Sequence, residues 1–99
     1  MLSSNDIIHT LSANKSFIRN HFYCVEIGLF GSFARNDQTD KSDIDILVVF
    51  EPGTPNLYEV ELGLKKYLEK CFNRKVDICS KKWIRPLFKP IVLKETLYA

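Results

Sequence analysis

Two short apolar runs, residues 25–30 and 44–50, flank the segment that constrains this chain most: Gly31, Ser32, Phe33, Ala34 and Arg35, then Ser42, Asp43, Ile44 and Asp45. Both runs are rich in Val, Ile and Phe and are bounded by turn residues, which predicts buried strands. Along a strand, residues two apart share a face, so Asp43 and Asp45 present their carboxylates side by side. Two anions held together at the mouth of a buried strand repel, and a bound cation is the common remedy.

The rest of the chain supplies a frame for that segment. Ser3, Ser4 and Asn5 are N-cap candidates, Asp6 favours a helix N-terminus, and Ile7, Leu11, Ile18 and Phe22 fall along one stripe. These signals predict one amphipathic helix over about residues 5–22. His9 and His21 have no metal-ligand spacing and read as structural, with His21 near the helix C-terminus. Gly28 within the first strand suggests close backbone approach. Residues 32–35 are long enough for one helical turn, residues 36–42 form a polar loop, and the second strand runs over 43–50. Leu57, Val60, Leu64, Leu68 and Cys71 predict a second long helix, which Gly63 weakens by about 1 kcal/mol relative to Ala. Residues 75–80 read as a third strand carrying Asp77. A basic, aromatic segment with two prolines follows, and then a short helix over about 91–98. Strands separated by helices imply a mixed α/β (α+β) fold, with a small mixed sheet of about three to four strands packed with helices.

Composition narrows the function classes. A length of 99 residues fits one domain, 1–99, with no room for a separate acceptor-binding domain. No apolar run approaches the roughly 18 residues of a membrane helix. The N-terminus lacks the basic start and apolar centre of a secretory signal, so a cytoplasmic protein is expected. Cys24, Cys71 and Cys79 form no Cys-x-x-Cys and suit neither a disulfide framework nor a zinc site. A net charge of +2 is too small to indicate direct nucleic-acid binding.

Three carboxylates, Asp43 and Asp45 on one strand and Asp77 on its expected neighbour, are the donors a hard cation such as Mg²⁺ prefers. A nucleoside triphosphate would then fit, with its outer phosphates on the turn at Gly31 and Ser32, where N–H groups and a hydroxyl donate. A β-carbon at residue 31 would hold those phosphates away. Asp77 would complete a metal site or accept the proton of an incoming hydroxyl, giving nucleotidyl transfer with release of pyrophosphate. Blander readings exist for each group. Ser32 can simply begin a helix, Asp43 can cap a strand, and Asp77 can pair with Arg74, Lys75 or Arg35. Asp45 is harder to explain away, because an unpaired charge inside an apolar run costs several kcal/mol. Arg35, three residues from Ser32, can meet either a phosphate or a carboxylate. Lys81, Lys82 and Arg85 read as a solvated face, and Cys79 as core.

The combined pattern, from Gly31–Arg35 through Ser42–Val48, residues 74–78 and residues 94–98, resembles the DNA polymerase beta-like nucleotidyltransferase superfamily. Within it the chain most resembles the minimal nucleotidyltransferases, or MNT proteins. The resemblance implies Gly31 and Ser32 at the triphosphate, and Asp43 and Asp45 as Mg²⁺ ligands, with Asp77 the third catalytic carboxylate. Asn36 departs from the glycine usual after the Ala-Arg pair. The resemblance further implies an antitoxin that transfers AMP from ATP to a tyrosine of a helical HEPN toxin, an RNase, within a hetero-oligomer. Two other readings stay open: neutralisation by contact alone, and nucleotidylation of a small molecule such as an aminoglycoside. Trp83, Ile84, Leu87, Phe88, Val92, Leu97 and Tyr98 either contact a partner or cover the sheet.

Overall fold

The computed structural model describes residues 2–99. Helix α1, Ser4–Ala13, begins at a capping box: the Ser3 hydroxyl accepts from the Asp6 N–H at 3.2 Å, and the Asp6 carboxylate accepts from the Ser3 N–H at 2.9 Å. The same bonds hold the Asp6 carboxyl below its ordinary range. The expected single helix over 5–22 is in fact two, because α1 ends at Ala13 and α2, Lys15–Phe22, starts after Asn14. The Asn14 side chain donates to the Thr10 carbonyl at 2.8 Å and accepts from the Tyr67 hydroxyl at 3.0 Å. An amide that bonds back to its own helix competes with the backbone ladder, and here it breaks the helix without disturbing the stripe. Ile7, Leu11, Ile18 and Phe22 are all buried. His21 stacks on Phe17 with ring centroids 5.0 Å apart, a packing role.

Strand β1, Cys24–Phe30, leads through a one-turn helix α3, Gly31–Arg35, and a polar loop to β2, Ile44–Phe50, which pairs antiparallel with β1. Helix α4, Leu57–Phe72, is the crossover that lets β3, Val76–Ser80, lie parallel to β2. Gly63 has a packing reason, since a β-carbon there would come within 3.3 Å of the Phe22 ring. A 3₁₀ turn, Lys81–Trp83, and helix α5, Lys89–Glu95, follow. The last element corrects the sequence expectation of a helix to residue 98: α5 stops at Glu95, and Leu97–Tyr98 form β4 on the free edge of β1. Thr96 ends the helix by donating its hydroxyl to the Val92 carbonyl at 2.6 Å and turning extended. The sheet order is β3-β2-β1-β4, a mixed four-stranded sheet packed with helices.

Strand alternation divides the sheet into two unlike faces. Ile27 and Leu29 of β1, Ile44, Ile46 and Val48 of β2, and Val76 of β3 pack against Ile7, Leu11, Ile18, Phe22, Leu64 and Leu68 of the helices. The opposite face carries Gly28, Asp45, Leu47 and Asp77. All three cysteines are free, and burial pushes the Cys24 thiol up to about 11. Among the described residues no helix is long and apolar enough to cross a membrane.

Gly28 gives β4 its place, because a β-carbon there would lie 2.7 Å from Thr96 Cγ2 and 3.2 Å from Tyr98 Cδ1. Gly28→Ala is expected to lower stability by about 1–3 kcal/mol, the usual cost of overpacking. The added Thr96→Ala change, which removes the first obstructing methyl group, is expected to recover part of that loss. Urea denaturation of the single and double variants measures both effects.

Candidate active site

The site forms where β1 ends. Phe30 is extended and pairs with Asp45 across the sheet, so the next residue, Gly31, turns directly beside the Asp45 side chain. Gly31 has φ +75, and a β-carbon on it would come within 2.9 Å of the Asp45 carboxyl carbon. Glycine is therefore required twice, by backbone conformation and by the close approach of the carboxylate. Phe33, 1% exposed, roots α3 in the core. Asn36 closes the turn in the left-handed conformation with φ 61, a geometry asparagine tolerates. The Asp37 N–H then donates to the Ser32 carbonyl at 3.0 Å.

The loop that delivers Asp43 is fixed from two sides. The Thr39 N–H donates to the Ser42 hydroxyl at 2.9 Å, and Arg74 donates to the carbonyls of Asp40 and Ser42 at 3.1 and 2.9 Å. The Arg74 guanidinium also lies over the Phe33 ring, 5.3 Å from its centroid. Sequence reasoning offered Arg74 only as a partner for Asp77; in the structure it instead ties the loop to the turn. Asp45 and Asp77 face each other in register on the parallel pair β2 and β3, where neighbouring strands lie about 4.8 Å apart. Asp43 is half-buried at the entrance to β2, and Asp77 is exposed.

The electrostatics single out Asp45. Burial first, then the charges of Asp77 and Asp43, push its carboxyl up to about 6, with Arg35 opposing. Arg35 itself is half-exposed; it donates from Nε to Asp37 at 3.2 Å and from Nη1 to Glu95 at 3.0 Å. Of the two kinds of partner open to it from the sequence, it has carboxylates here. Glu95 also accepts from the Gly31 N–H at 3.1 Å, so a residue of α5 joins the site. Its only sequence signal is its position in the 94–98 segment. The Ser32 hydroxyl, half-buried on the turn, is free of hydrogen bonds among the described residues. Among those residues, no three acidic, thiol or imidazole groups form a ready-made metal cluster.

A strand-turn-helix carrying Gly-Ser, followed by paired aspartates on one strand and a third on its parallel neighbour, matches known proteins. The chain belongs to the nucleotidyltransferase domain family, whose model matches residues 12–99. It is 37% identical over 98 residues to the protein adenylyltransferase MntA of Thermococcus cleftensis, covering 99% of this chain and 97% of the relative. A solved structure provisionally described as a minimal nucleotidyltransferase is 31% identical with a TM-score of 0.72, covering 91% of this chain and 93% of that one. A toxin–antitoxin crystal structure with AMP-PNP contains a chain 25% identical with a TM-score of 0.66, covering 98% of this chain and 72% of that one.

The raised Asp45 carboxyl makes stability depend on pH with a defined sign. Its folded pKa, about 6, lies above the unfolded value of 3.8, so its contribution is fully present below the unfolded value and is lost as pH rises through the folded one. In EDTA, Asp45→Asn is expected to raise the urea midpoint relative to the parent protein at about pH 8, with the gain fading below about pH 4. A difference independent of pH would contradict the origin given for the shift.

Proposed function

We propose that this protein transfers AMP from ATP to a tyrosine hydroxyl of a helical HEPN-domain RNase toxin, neutralising it within a hetero-oligomer. The observation that carries the reading is the close approach of the Gly31 turn to Asp45, which lies in register with Asp77 across the parallel pair. It joins a phosphate-binding turn to paired acids on a 99-residue chain. The adenylyltransferase relative and the toxin–antitoxin structural match support it.

The donor set suits Mg²⁺. Asp43, Asp45 and Asp77 offer only hard oxygen ligands, and the burial and neighbouring charges that raise Asp45 are what a bound divalent cation offsets. Bound by these carboxylates, Mg²⁺ would neutralise charge developing on the transferred phosphoryl group. The chain's own groups supply the remainder. The Gly31 N–H is taken by Glu95, so the donors left for the outer phosphates are the N–H groups of Ser32 and Phe33 and the Ser32 hydroxyl. Arg35, with half its surface in water at the far end of the same turn, holds Asp37 and Glu95 here and is the cation nearest to hand for a phosphate. Asp77, exposed at the sheet edge, accepts the proton of the incoming hydroxyl. The tyrosine oxygen bonds to the α-phosphorus, the bond from that phosphorus to the β-bridging oxygen breaks, and pyrophosphate leaves.

Incubation with labelled ATP, Mg²⁺ and the product of the gene neighbouring this chain's own is expected to label a tyrosine of that product. Asp43→Asn and Asp45→Asn should each reduce labelling by at least about a hundredfold, the scale for losing a group that acts on transition-state charge. Neutralisation that survives in both variants, with binding intact, would instead favour inhibition by contact. A labelled aminoglycoside and an unlabelled toxin would point to a small-molecule acceptor.

A further inference from the structure

Helix α3 has five residues, too few to hold its own shape, since isolated helices of a single turn are unstable. Phe33 anchors its inner side under the Arg74 guanidinium, and the hydrogen bonds that tie its outer side to a distant element, among the described residues, go to the Glu95 carboxylate. One oxygen accepts from the Gly31 N–H at the first residue of α3, and the other accepts from Arg35 at the last. A single side chain therefore spans the length of the turn. Glu95 is itself held in place: Thr96 stops α5 immediately after it, Leu97 and Tyr98 pair with β1, and the Ala99 N–H donates to the Ile27 carbonyl at 3.0 Å. Its side chain is only 20% exposed.

This arrangement has an electrostatic consequence. An anion held against the first N–H of a phosphate-binding turn would by itself repel a triphosphate. Arg35 lessens that conflict by pairing with the second oxygen, so Glu95 fixes the turn while its charge is partly offset by a guanidinium it shares with Asp37. Gly31 lies between Glu95 and Asp45, so the contact that sets the turn also sets its distance from the acids.

We infer that Glu95 is a positioning residue for the nucleotide, holding the Gly31–Arg35 turn in register with Asp45 by accepting from Gly31 at its start and Arg35 at its end. The inference rests on the nucleotide-binding half of the function proposed above. It gives the C-terminal strap a role in the active site: the strap carries the residue that shapes the phosphate turn.

Titration calorimetry of the full chain with ATP and Mg²⁺, without any acceptor, tests it. Glu95→Gln keeps the size of the side chain but replaces one acceptor with a donor. It is expected to weaken ATP binding by about tenfold, the scale for one charge-assisted hydrogen bond. Glu95→Asp, which keeps the charge but loses the reach, is expected to weaken binding similarly and decides the matter should the glutamine variant not fold. Arg35→Ala is expected to bind more weakly still, because it leaves an unbalanced carboxylate beside the phosphates. Adding Glu95→Gln to Arg35→Ala should then restore part of the affinity, a reversal that a purely structural role would not produce. ATP affinity within twofold of the parent in a folded Glu95 variant, or no ATP binding by the parent protein, would overturn the inference. A parent protein that binds ATP but labels no toxin would sink the transfer reading and leave this one standing.

Discussion

The close approach of Gly31 to Asp45 is the constraint on which the site depends. Antiparallel pairing sets Phe30 opposite Asp45, and the chain must leave the sheet at the next residue. Any side chain at that residue would displace the carboxylate, and any L-residue would resist its positive φ. Once glycine is there, the N-terminal end of α3 comes to rest against an acid that is itself in register with a second acid on β3. The turn and the carboxylates are thus brought together by the sheet, not by a flexible loop. The glycine serves to admit Asp45.

Much of this was legible in the sequence because it rests on short periods. The period of two along residues 43–50 places the acids on one face and Ile44, Ile46 and Val48 on the other. The stripe of Ile7, Leu11, Ile18 and Phe22 correctly names the residues that cover them. What the period does not report is whether the backbone stays helical between the members of a stripe. Asn14 breaks the helix through a bond to Thr10 and a second to Tyr67, 53 residues away, and a helical pattern survives such a break almost unchanged.

The residues that were not legible act at long range. Arg74 reads locally as a cation near Asp77, yet its partners are carbonyls at 40 and 42 and the ring of Phe33. Glu95 reads as one more polar residue of a terminal helix, and its partners lie 60 and 64 positions earlier. Strand β4 exists because Gly28 leaves space beside β1, a fact carried by a residue 69 positions before Leu97 would otherwise continue a helix. In each case the decisive partner is known only once the sheet order is known.

The unlike faces of the sheet explain how a small domain tolerates such a site. Ile44, Ile46 and Val48 are fully buried against the helices, so β2 is held by apolar contacts that lie on the opposite face from Asp45. The burial of Asp45 is unfavourable to its charge, but Asp77 beside it is exposed and Asp43 only half-buried, so water screens the repulsion they add. Because the charged and apolar groups alternate along the same strand, the pairing that builds the core also aligns the acids. A shift of β2 by one residue would lose both at once, since it would turn the isoleucines outward and the aspartates into the core.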